Sequence, residues 1–137
     1  MTEFAFTIPL LVALLVAVIA IAWVGFSLLS ITSAARMGAR HMSTFYDRPQ
    51  DPAQFPTADA EITYIVTTTM PFLDWTRAEV TLWPEDVNDR VPGIQLSVEV
   101  VYSLNWPTIE IPFVLAEGSF VLLPPINLHA VSSMRLD

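Results

Sequence analysis

The sequence predicts an α+β protein, with a long N-terminal transmembrane helix continuing as a stalk and then a small antiparallel β-sheet domain. Three observations carry this expectation. Phe4 to Ala35 contains no charged residue, residues 47–60 are rich in Pro and Asp, and from Glu61 onward apolar side chains recur at alternate positions. The expected division is a helix over 1–46, a linker over 47–60 and a β domain over 61–137.

The core of the first element, Pro9 to Leu29, is almost wholly aliphatic. About 20 such residues cross the roughly 30 Å hydrocarbon core of a bilayer as a helix. Each Leu, Ile, Phe or Val contributes roughly −0.3 to −0.6 kcal/mol to insertion. As the buried core helix of a soluble protein it would need a cover on every side, which the rest of this short chain cannot supply. A cleaved signal peptide would carry a basic start and a shorter apolar run, so the segment is expected to stay in the mature protein. Pro9 falls inside the helix, where it removes one hydrogen bond.

Past Leu29 the composition changes, yet no Pro occurs before Pro49. A helix reaching about residue 46 would be roughly 65 Å long at 1.5 Å per residue, leaving a length beyond the bilayer. Ser30, Ala34 and Gly38 stand four apart, a spacing that lets another helix approach closely and that also arises by chance. Asp47 to Ala60 then reads as a linker.

Four segments read as strands. Glu61–Thr69 is β-branched, and Ala78–Trp83 is a second candidate. Ile94–Leu104 places Ile94, Leu96, Val98, Val100 and Tyr102 on one face, with Gln95, Ser97, Glu99 and Ser103 on the other. Ile126–Leu136 repeats the pattern with Ile126, Leu128, Ala130 and Met134 inward. A sheet of three or four strands with one apolar face needs a cover, which the stalk end of the helix or a neighbouring subunit can supply. Between the strands, Trp106 to Pro125 is apolar for a surface loop, so it packs under the sheet or touches membrane or partner.

The formal net charge is −8, with 13 acids against four Arg after residue 40 and no Lys anywhere. Such a domain does not bind nucleic acid by neutralising phosphates, and anionic headgroups repel it. The chain has no Cys, which excludes disulfides and thiolate chemistry. His41 and His129 lie outside the apolar run, so no intramembrane imidazole is offered to a pigment or haem. His129 is expected on the outward face of the last strand with no carboxylate beside it. Asp74, Glu79, Glu85, Asp86 and Asp89 supply acids, but Trp83 to Arg90 lacks the spacing of a calcium loop and reads as solvated. With no phosphate loop and no nucleophile elbow, the expectation is a non-enzyme with no cofactor, metal or small-molecule substrate.

The run TEFAFTIPLLVALL, the later SAARMGAR, Pro92-Gly93, VEVVY ending at Tyr102 and the terminal LHAVSSMRLD resemble the TadE-like proteins. These are pseudopilins of the tight-adherence (Tad, or Flp) branch of type IV pilus systems, with a pilin-like fold. The resemblance implies a bacterial inner-membrane, single-pass structural subunit whose helix contacts other pilin-like subunits. It implies that Glu3, Phe4 and Pro9 form the assembly contact, the Glu3 carboxylate neutralising a neighbour's N-terminal amine. On the residues alone, Glu3 sits equally well in the headgroups at the positive end of the helix dipole. Family members carry a basic leader cut at a Gly before the helix. No such leader precedes Thr2-Glu3, and the expectation is a start at an internal Met or a trimmed end.

Topology carries a related conflict. Juxtamembrane Arg36 and Arg40, with no basic residue before the helix, place the domain in the cytoplasm by the positive-inside rule. The resemblance implies a domain outside, at the cell surface when built into a filament, and an omitted leader resolves the conflict in favour of outside. Two functional readings stand: a pilus-type assembly subunit, or a single-pass accessory scaffold of a stable integral membrane complex.

Overall fold

The computed structural model describes residues 2–70, 72–105 and 125–136, with side chains from Thr7 onward. Helix α1 runs Thr2–Thr44 without a break through Pro9. At 43 residues it is about 65 Å long. Between Thr7 and Trp23 nearly all of its large apolar side chains are exposed, on every side of the helix. From Ser27 one face turns inward: Ser27, Ile31, Ala34, Ala35, Ala39 and Met42 are all essentially buried. Their three- and four-residue spacing is one stripe of a helix.

The sheet has three strands, β1 (Ala78–Trp83), β2 (Gln95–Leu104) and β3 (Ile126–Arg135), in the order β1-β2-β3 and antiparallel throughout. Ala78 stands opposite Tyr102, and Gln95 opposite Arg135. Strand β2 alternates as expected, with Leu96, Val98, Val100, Tyr102 and Leu104 buried. The stripe on α1 covers that face, so the C-terminal half of the helix carries the domain along its side. Strand β3 buries Leu128 and Ala130, but Met134, expected inward, is exposed. It lies on the open edge of the sheet beside the Gly93 turn, and Leu136, next on that face, takes the buried place. Gly93 has φ 94°, and Ile94 N–H donates to Val91 O at 3.1 Å, a turn with Pro and Gly at its two centre positions.

Glu61–Thr69 is not a strand. It belongs to helix α2, Ala58–Thr68, which also takes in the last residues expected in the linker. Thr57 caps it, its hydroxyl accepting from Ala60 N–H at 3.2 Å, and Asp59 and Glu61 occupy the positive first turn. Ala58, Ile62 and Val66, four apart, bury against α1 and the sheet. The hydroxyls of Thr67, Thr68 and Thr69 donate back to the carbonyls of Thr63, Tyr64 and Ile65. Burial of one face and these back-bonds override the β preference of branched residues. The apolar segment expected to pack under the sheet or on a partner, Trp106 to Pro125, lies outside the described residues except Pro125.

Candidate functional site

The surface available to partners is set by which parts of α1 the domain leaves free. Glu3 and Phe4 fall within α1, but their side chains lie outside the described set. Pro9 is exposed on the free part of the helix. Of the small residues, Ser30 is half-buried, while Ala34 and Gly38 face this chain's own domain. A Cβ placed on Gly38 would stand 2.5 Å from Val66 Cγ2 and 3.3 Å from Val98 Cγ1, so α2 and the sheet meet α1 here at backbone distance. Arg36 and Arg40 are exposed and project from the other side. The helix thus divides lengthwise into a free apolar half and a half whose inner face is occupied.

Besides the apolar core, a polar cluster with no signature of its own in the sequence fastens the domain to the end of α1. Arg90 is only 2% exposed. Its Nε donates to Pro84 O at 3.0 Å, its Nη1 donates to Tyr46 O at 3.4 Å, and the same Nη1 pairs with the Asp59 carboxylate. One guanidinium therefore joins the end of α1, the first turn of α2 and the β1–β2 loop. A rigid fork of donors suits that task better than an ammonium. Beside it, the buried Glu61 accepts from Gln50 N–H at 2.6 Å, and its other oxygen lies 3.5 Å from His41 Nε2. Both carboxylates belong to the first turn of α2, in segments expected to be linker and strand. The signal for them was Thr57 followed by acids at 59 and 61, the start of a helix.

The exposed acids do local work. Asp74 Oδ1 accepts from Thr76 Oγ1 at 2.6 Å and from Thr76 N–H at 3.2 Å. Those bonds, with a smaller contribution from Arg77, hold its carboxyl below the usual value. Asp86 accepts from Asn88 N–H at 2.9 Å and caps the turn Val87–Asp89. His129, expected to stand without a carboxylate, lies 3.5 Å from Glu99 across the exposed face of the sheet. The two sit on neighbouring strands one pair apart, where outward side chains of both strands meet. Among the described residues no three His, Asp or Glu side chains gather as a metal site would require. The arrangement is suited to holding two bodies together.

Residues 1–40 match the family model described as TadE-like protein. No curated protein and no solved structure matches the chain. The matched segment is most of α1, and Thr7–Thr44 is the one described helix long and apolar enough to cross a membrane. A TadE-like N-terminal segment on a span-capable helix fits a membrane-anchored, pilus-related subunit.

Proposed function

We propose that the protein is a minor pseudopilin of a Tad-type pilus or a related surface assembly, anchored in the bacterial inner membrane with its domain outside. The observation that carries this reading is the TadE-like match over residues 1–40 on a helix whose apolar side chains between Ile8 and Ile21 are mostly exposed. Helices of neighbouring subunits pack against that half, and the β domain decorates or caps the assembly. Glu3 supplies the carboxylate that neutralises a neighbour's terminal amine, an interaction made strong by the low dielectric around it. The domain's acidity and its lack of Lys suit an exterior surface facing neither nucleic acid nor anionic lipid.

Glu3→Ala tests this reading. The variant is expected to insert into membranes as the parent does and to be lost from surface filaments. Undiminished incorporation of Glu3→Ala refutes the proposed assembly contact. Co-purification of the parent in fixed stoichiometry with an integral membrane complex, and its absence from filaments, would favour the accessory-scaffold reading instead.

A further inference from the structure

Phe72 lies between two buried residues, Met70 and Leu73 on either side of Pro71–Phe72, yet it is itself 84% exposed. Its φ is 70°, in the left-handed region that a bulky side chain seldom adopts. An aromatic ring held outward on such a backbone is doubly unfavourable in water. Among the described residues, packing accounts for neither feature. The ring meets Phe26 of α1 with centroids 6.3 Å apart, and Phe26 meets Trp23 at 6.3 Å. Trp23 and Phe26 are themselves more than two-fifths exposed. Two separate segments therefore build one continuous aromatic surface.

Its height along α1 identifies what covers it. A hydrocarbon core of roughly 30 Å takes about 20 helical residues. The aliphatic run Pro9 to Leu29 has about that length, and Trp23 and Phe26 stand in its last two turns. Ser27 and Ile31 are then the first fully buried residues. The aromatic surface thus falls at the level where the free helix gives way to the packed domain. That level is where aromatic side chains concentrate in membrane proteins.

We propose that the loop between α2 and β1, through Phe72, is a second membrane contact of this protein. Phe72 enters the interfacial region of the bilayer that α1 spans, beside Trp23 and Phe26, and the three rings fix the domain's depth and its inclination to the membrane. The partner is the neutral, apolar part of the interface. Asp74 beside Phe72 and the acidic domain disfavour an anionic headgroup. The inference rests on the reading of α1 as a membrane span.

The chain has no Cys, so Phe72→Cys and Glu85→Cys each create one attachment point for a nitroxide. Both positions are exposed, and Glu85 lies in the β1–β2 loop at the other end of the sheet. In the full chain in phosphatidylcholine vesicles, collision of the label with oxygen and with a water-soluble nickel chelate reports depth. The label at 72 is expected to gain oxygen collisions and lose nickel collisions relative to 85, with both proteins resisting alkaline extraction. Equal water exposure at 72 and 85, with extraction resistance intact, overturns the second contact and leaves the span standing. Loss of extraction resistance overturns the span and the contact with it. Dipolar broadening at 72 that grows with the protein-to-lipid ratio would assign the surface to a second copy of the chain and also overturn the proposal.

Discussion

Gly38 is where α1, α2 and β2 come together, and a single methyl group there should be felt by all three. A Cβ at position 38 would lie 2.5 Å from Val66 Cγ2, 3.3 Å from Val98 Cγ1 and 3.7 Å from Ile62 Cγ2. Val66 is fully buried and β-branched on a helix, so its χ1 has little freedom to turn away. Gly38→Ala must therefore push α2 off α1, an overpacking cost of about 1–3 kcal/mol. Ala gains about 1 kcal/mol over Gly in helix propensity, leaving a net loss of roughly 0–2 kcal/mol. The single variant is thus a weak test, and the pair with Val66→Ala is the strong one. Val66→Ala destabilises by itself through lost burial, but it removes the clashing methyl. Gly38→Ala should be neutral or stabilising in that background, giving a coupling of about 1–3 kcal/mol. For a domain of this size 1 kcal/mol moves the melting point by about 4–8 °C. Thermal melting of the detergent-solubilised protein, followed by near-ultraviolet circular dichroism, reads all four states. Gly25→Ala is the control, because nothing lies within 4 Å of its new methyl. Effects that add to within about 0.5 kcal/mol would refute the backbone-distance contact.

The Arg90 clasp predicts an asymmetry. Asp59→Ala leaves a guanidinium with 0% side-chain exposure unpaired and should cost about 3–5 kcal/mol in chemical denaturation. Arg90→Met leaves a carboxylate that is 37% exposed, so solvent recovers part of the loss, and about 1–3 kcal/mol is expected. An equal or reversed order would show that the guanidinium is hydrated in solution. Asp74 predicts a pH dependence. Its folded pKa is depressed, so its contribution is present above the usual carboxylate value and is lost as pH falls through the lower folded value. The stability gap between the parent and Asp74→Asn should therefore narrow on acidification, as measured by melting at neutral and acid pH.

What the sequence revealed and what it hid follow from the range of the forces concerned. The long apolar helix was legible because its uninterrupted aliphatic composition needs no knowledge of neighbours. Strand β2 was legible because five inward residues alternate with polar ones, a period no helix reproduces. Residues 61–69 were ambiguous at that level. Ile62, Tyr64 and Val66 satisfy a strand's alternation, while Ala58, Ile62 and Val66 satisfy a helix's four-residue spacing. The cover offered by α1 decided between them, and that cover is a tertiary fact. The Thr57 cap was the local clue that pointed the right way. Arg90 was hidden for a related reason. In the acid-rich run Trp83–Arg90 it looked like one more solvated charge, and only the approach of Tyr46 and Asp59, 44 and 31 residues away, makes it a buried clasp. Glu3 and Phe4 were proposed from resemblance, and their side chains lie outside the described residues.

The division of α1 limits how copies of this chain can assemble. Ala34, Ala39 and Met42 are buried under the chain's own domain, so no second helix reaches them while Arg90 holds the end of α1 to α2 and the β1–β2 loop. Leu11, Leu14 and Val18 are each about three-fifths exposed or more. Contacts between subunits should therefore run through the span. The absence of Cys makes this directly testable with single replacements. In membranes carrying assembled protein, oxidation should join chains through at least one of Leu11→Cys, Leu14→Cys and Val18→Cys, whichever face the neighbour takes, and not through Ala34→Cys or Ala39→Cys. Cross-linking through Ala34 would mean that the domain leaves the helix on assembly. Releasing the clasp by Asp59→Ala should then strengthen that cross-link. If Asp59→Ala leaves it absent, the domain stays on α1 by its apolar contacts alone.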